Sequence, residues 1–183
     1  MLTYATIFYI LLAMQPSLCL ILHNIRSAHN VGSIFRTADG LGVTSLFLTG
    51  YTPYPQQQHD QRLPHIAQRN QQAIHKTALG AETTVPWQYQ ADITQVIADL
   101  RQQNYCLVAL EQTPQAQPLQ NFRAAADQPL ALTLGNELTG LDNDVLQAHQ
   151  SAVEIPMFGH KESYNVAVSA AIALYHLRYH CYN

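Results

Sequence analysis

The sequence predicts an α/β fold, a largely parallel sheet with helices on both faces. Three observations carry that expectation. Short apolar runs of strand length alternate with stretches of helical spacing along the whole chain. Apolar residues make up 48% and charged residues 11% of the 183, enough to fold and bury a substantial core. No internal repeat or linker interrupts the alternation, so one domain is expected. Strands covered on both faces read as continuous apolar runs, and strand–helix alternation favours parallel order.

Leu18-Cys19-Leu20-Ile21-Leu22 is such a run and predicts a buried first strand. Asn30 to Leu41 places Val31, Ile34, Phe35, Ala38 and Leu41 at helical spacing, with Asn30 as the expected cap and Gly42 as the stop. Val43 to Thr49 reads as a second strand. The polar stretch from Gly50 to Gln72, with Gln56, Gln57 and Gln58, reads as carrying a long loop. Arg69 to Leu79 leans helical, and Thr83 to Trp87 reads as a strand. Asp92 to Gln103, opened by an Asp cap, sets Ile93, Val96, Ile97 and Leu100 on one helical face. Tyr105 to Leu110 and Pro129 to Leu134 are strand-length runs. Asp142 to His149 reads as a short helix and Ala152 to Ile155 as a short strand. Val166 to Tyr179 closes the chain as a helix with Val166, Ala170, Ala173, Leu174 and Leu177 in a stripe.

Residues 1–17 stand apart from this domain, which we place at residues 18–183. Met1 to Met14 is apolar but too short to span a bilayer, and no Lys or Arg precedes Arg26 to make a secretory n-region. It reads as an extension or packing helix, or as an over-extended start. No other segment is long and apolar enough for a membrane. The formal charge of −3 predicts weak non-specific grip on nucleic acid. Three cysteines, Cys19, Cys106 and Cys181, form no CxxC pair and leave one odd, which points to a reducing, cytoplasmic setting.

Ligands of such sheets sit beyond the carboxyl ends of the strands. That directs attention to the residues after Leu22, Leu110, Leu134 and Ile155. Gly40-Leu41-Gly42 ends a helix instead of following the first strand, so it is no dinucleotide fingerprint. No Walker loop, HExxH or zinc spacing appears. A nicotinamide enzyme, an NTPase and a metal site are thereby disfavoured. What remains is three polar segments: His23 to Ala38, Leu134 to Leu141, and Ile155 to Val168. Taken singly, each has a plain structural reading: a helix cap with a packing glycine, a strand-to-helix turn, and a cap for the last helix.

Together they read N-x-G-x-x-x-R-T-A from Asn30, G-N-E-x-x-G-L from Gly135 and I-P-M-x-G-x-x-x-S-x-N-V-x-V from Ile155. In that order the sequence resembles the SpoU/TrmH family, S-adenosylmethionine-dependent RNA ribose 2′-O-methyltransferases of the SPOUT superfamily, over roughly residues 18–180. The resemblance implies a deep C-terminal trefoil knot and a homodimer through the knot region. It implies S-adenosyl-L-methionine as cofactor, no metal, and a tRNA or rRNA substrate. Leu110, Gly135, Ile155, Met157, Tyr164 and Asn165 match the cofactor positions. Tyr164 stands where the family usually has Leu, which alters the shape of the pocket. Arg36, Asn30, Glu137, Ser163 and Asn165 match the functional polar positions.

Methyl transfer to a ribose requires the hydroxyl to be held in line with the methyl carbon and its proton to leave. Arginine stays protonated under nearly all conditions, so Arg36 fits a fork that holds the adjacent phosphate and polarises the hydroxyl better than a literal base. Asn30, Ser163 and Asn165 are expected to orient the ribose and Arg36, and Glu137 to fix its loop and neighbouring amides. RNA contact is expected from Arg26 and from Arg62, Arg69 and Lys76 of the Gly50 to Lys76 region, whose single acid is Asp60. No extra RNA-binding domain is evident, which favours a small, shape-defined target. Two alternatives stand beside this reading: a catalytically silent RNA-binding or cofactor-sensing module, and an enzyme that methylates a base nitrogen.

Overall fold

The computed structural model describes residues 16–125 and 127–181. The expectation for residues 1–15 therefore lies outside the described residues. Seven strands form one sheet: β1 (Leu18–His23), β2 (Ser45–Thr49), β3 (Trp87–Gln90), β4 (Cys106–Leu110), β5 (Gln117–Pro118), β6 (Leu130–Leu134) and β7 (Ser151–Glu154). Their order is β3-β2-β1-β6-β4-β7-β5, and every pair is parallel. The α/β expectation holds.

Strand β1 shows why the run at Leu18 is continuous. Leu18, Leu20 and Leu22 face one core, with α1 (Ala28–Gly40), α2 (Pro64–Ala78), α3 (Ala81–Thr84) and α6 (Val166–Tyr179). Cys19 and Ile21 face the other, with α4 (Ile93–Gln102) and α5 (Asn143–Gln147). Successive strand residues point to opposite faces, so a central strand buried on both sides has no polar position to offer.

The larger departures from the sequence reading each have a local reason. Ser27, not Asn30, caps α1, accepting from the Asn30 amide at 3.3 Å, which frees the Asn30 side chain. Helix α2 begins at Pro64, inside the expected loop, because proline suits the first helical turn and only Ala67, Ile74 and Ala78 are fully buried along it. Thr83 and Thr84 close the short helix α3, and the strand starts at Trp87, after Pro86. The two-residue strand β5 has no apolar run to announce it. Gly42 does stop α1: with φ +63° it follows the Leu41 cap, while Val43 donates to the Ala38 carbonyl and Gly42 to that of Asp39. Those paired bonds are a Schellman closure.

Among the described residues no helix is long and apolar enough to cross a membrane.

Candidate active site

The carboxyl ends of β4, β6 and β7 and the start of α6 enclose one cleft. Its floor and walls include Leu110, Leu134, Ile155, Met157 and Val166; its rim carries Ser163, Tyr164 and Asn165. All six residues expected to hold a cofactor line it, together with Glu137 and Ser163. The segments predicted to matter are thus brought to one place by the parallel order of the sheet.

A chain of side-chain amides ties the three segments. Asn165 Nδ2 donates to Asn30 Oδ1 at 3.3 Å, and Asn30 Nδ2 donates to Glu137 Oε1 at 3.2 Å. The other Glu137 oxygen accepts the Arg26 amide at 3.2 Å. Asn165 also caps α6, its Oδ1 accepting from the Ala167 amide at 2.9 Å. One Asn165 side chain thus caps α6 through its oxygen and reaches Asn30 through its nitrogen. Ser163 is exposed and has no hydrogen-bond partner among the described residues, which leaves its hydroxyl available to a ligand.

The loop from Gly135 to Leu141 folds on itself through reciprocal bonds between the Asn136 and Gly140 main chains, at 3.2 and 2.9 Å. A Cβ on Gly135 would lie 2.7 Å from the Gly140 carbonyl, so this glycine serves the closure of the loop. Asn136, already within the G-N-E motif, and two residues that the sequence reading gave no role, Glu111 and Asn24, hold that loop. Glu111 accepts from the Leu141 amide at 3.0 Å and the Gln112 amide at 3.1 Å. Asn136 accepts from Leu138 and Thr139 and donates to the Asn24 carbonyl at 3.0 Å. Asn24, at φ +57°, in turn donates to His23 Nε2 at 2.9 Å. For Glu111 the available signal was its position directly after β4.

His23 is buried, and desolvation lowers its pKa against the opposing pull of Asp142. With Nε2 accepting from Asn24, Nδ1–H donates to Thr49 Oγ1 at 2.9 Å, a neutral tautomer satisfied on both nitrogens.

Arg36 is not in the cleft. It lies on the exposed side of α1, six residues past Asn30 and so roughly 9 Å farther along the helix axis, with no partner among the described residues. Gly32, between them, is a packing glycine: a Cβ there would overlap the Ile74 carbonyl group of α2. Of the basic residues expected to meet RNA, Arg26, Arg69 and Lys76 are exposed. Arg62 is not free. It donates to Asp60 Oδ1 at 2.8 Å and to the Tyr54 carbonyl at 2.9 Å, and it lies 3.5 Å over the Tyr54 ring. Its guanidinium holds the Asp60 carboxyl well below the usual carboxylate range. Arg62 therefore staples its own loop, its guanidinium engaged by Asp60 and the Tyr54 and Pro55 carbonyls.

The sequence model of the SpoU rRNA Methylase family matches residues 17–175. A protein of Nitrosomonas europaea described as a 23S rRNA (guanosine-2′-O-)-methyltransferase is 30% identical over 161 residues, 88% of this chain and 55% of that protein. A tRNA (guanosine(18)-2′-O)-methyltransferase of Borreliella burgdorferi is 27% identical over 161 residues, 87% of this chain and 65% of its own length. The fold matches that of an AdoMet-bound rRNA methyltransferase from Sinorhizobium meliloti with a TM-score of 0.74, at 23% identity, over 94% of this chain and 61% of that one. The chain thus spans little more than half the length of several relatives it matches.

Proposed function

The chain belongs to the SpoU rRNA Methylase family, and from that premise we propose that it transfers a methyl group from S-adenosyl-L-methionine to a ribose 2′-hydroxyl of tRNA or rRNA. The observation that carries the proposal is the cleft in which Asn165, Asn30 and Glu137 tie three separate segments together. The residues present fit the cofactor: apolar walls at Leu110, Leu134 and Ile155 for a purine, and main chain at Gly135 to Gly140 for polar contacts. When bound, it supplies an electrophilic methyl group on a sulfonium. The chain's own residues then do the positioning. Ser163 offers a free hydroxyl at the rim to the ribose, and Asn30 and Asn165 fix the rim's geometry. Glu137 holds the first segment against the second through the Arg26 amide. Arg36, outside the cleft and always charged, fits a fork on a phosphate next to the reacting ribose, polarising the hydroxyl from that side.

A homodimer belongs to the same proposal. Val168, Ile172, Tyr175 and Tyr179 repeat at helical spacing on the exposed side of α6, and the Tyr175 and Tyr179 rings meet in a tilted contact at 4.9 Å between centroids. Such a stripe is suited to a second copy. A C-terminal knot is supported by β7 lying between β4 and β5 while α6 returns to pack on α1. A cytoplasmic setting is supported by the three unpaired cysteines.

The test is incubation with methyl-labelled cofactor and RNA, followed by nucleoside analysis. Label in 2′-O-methylribose is the expected result. Label in a methylated base, or no label with a folded, cofactor-binding protein, would replace this reading with one of the two alternatives.

A further inference from the structure

The helices α1 and α2 lie side by side on one face of the sheet. Thr77 Oγ1 of α2 donates to the His29 carbonyl of α1 at 2.8 Å, and Gly32 seats against the Ile74 carbonyl. The two contacts run in opposite directions along the two helices, so the pair is antiparallel. Arg36 comes one turn after Gly32, and Arg69 lies just over one turn before Ile74, so both fall at the same end of the pair. Lys76 and His29 fall at the other. Arg36, Arg69 and Lys76 are all exposed, and none has a hydrogen bond or ion pair among the described residues.

The acids around this face are occupied. From Gln61 to Ala81 the sequence contains none, although the chain as a whole carries 12 against 9 basic residues. Asp60 is taken by Arg62, buried Glu82 by His75 and the Gly80 amide, and Asp39 by the Thr84 hydroxyl. An acidic protein thus gathers Arg36, Arg69 and Lys76, none ion-paired among the described residues, on one face, with Asp39 as the nearby exposed acid. Arg69 and Lys76 are seven residues apart, roughly 10 Å along α2, which suits two separate phosphates better than one. The strip begins beside the cleft, because Asn30 on the first turn of α1 donates to Glu137, which lines it.

We propose that the groove between α1 and α2 is the track for the substrate RNA backbone, Arg36, Arg69 and Lys76 each taking a phosphate as the strand leaves the cleft. The proposal rests on the RNA methyltransferase reading. It also extends it, since it fixes the direction in which the strand runs and gives an acidic protein its hold on a polyanion. Contacts of this kind are sequence-independent, so they position the strand and leave the choice of nucleotide to the cleft.

The experiment is filter binding of a labelled, unmodified tRNA transcript between about 50 and 200 mM salt. Three proteins are compared: wild type, Arg69→Gln with Lys76→Gln, and a control with the same charge loss elsewhere, Arg101→Gln with Arg123→Gln. The double variant on the track should bind about tenfold more weakly, with a salt slope shallower by about 1.5, and calorimetry should find its cofactor affinity unchanged. The control should follow wild type. A track variant indistinguishable from the control would overturn the proposal, and so would a wild type without salt-dependent binding. Failure of the underlying reading looks different: wild type would bind the transcript with the expected salt slope yet place no methyl group on any RNA.

Discussion

Gly140→Ala is the perturbation whose cost the structure sets most directly. Gly140 has φ +69°, a region an L side chain enters at roughly 1 kcal/mol or more. Its new Cβ would lie 2.8 Å from the Glu111 carboxyl carbon and closer still to one of the oxygens. That oxygen accepts the Leu141 amide at 3.0 Å. Displacing a carboxylate from an amide costs about 1.5–3 kcal/mol in protected settings, and about 1 kcal/mol is appropriate for the half-exposed Glu111. The substitution should therefore destabilise by about 2–3 kcal/mol, read as a fall in the urea midpoint at constant slope. Cofactor affinity should fall with it, because the same loop walls the cleft. Glu111→Ala removes the obstacle, so in the double variant only the backbone term should add to its effect, leaving about 1 kcal/mol of favourable coupling. Gly140→Ala within about 0.5 kcal/mol of wild type, or costs that simply add, would refute the clamp.

Arg36→Ala should leave cofactor affinity by calorimetry near wild type and lower methyl transfer about a hundredfold, with Arg36→Lys restoring little because a point charge cannot reproduce the planar fork. Ile172→Glu, in the exposed stripe of α6, should convert a dimer by light scattering into a folded monomer. Stability should fall as pH drops below about 6.5: burial lowers the pKa of His23 and His149, so the unfolded chain binds protons there that the folded one refuses. His149→Gln should flatten that dependence by at most about 1.4 kcal/mol per pH unit, measured by urea titration at several pH values.

Much of the fold was legible because burial on both faces leaves an unambiguous pattern. Strand β1 is apolar from Leu18 to Leu22, and α6 spans Val166 to Tyr179 as its stripe predicts. The illegible parts are those where position in the sheet or local chemistry outweighs apolar periodicity. Strand β5 is two residues at the sheet's edge, and one of them, Pro118, cannot donate to a ladder. Helix α2 keeps only Ala67, Ile74 and Ala78 fully buried and turns His65, Arg69, Gln72 and Lys76 outward, so its first turn reads as loop.

The same division runs through the site. Gly135 and Glu137, just after β6, and Asn165, the cap of α6, were singled out by motifs that resemble the SpoU/TrmH family, in segments to which the carboxyl ends of a parallel sheet direct attention. The residues that hold the motifs still were not, because nothing in their spacing marks them: Asn24 works from a left-handed backbone, and Glu111 works on two amides. Ser27 shows how one link depends on the other. By taking the cap of α1, it releases Asn30 to reach Glu137 across more than a hundred residues. Helix α1 then joins the cleft to the cationic face, with Asn30 on its first turn bonded to the cleft residues Glu137 and Asn165 and Arg36 farther along on the face. A change that unseats the cap should disturb both, whereas changes at Arg69 and Lys76 should touch only the grip on RNA.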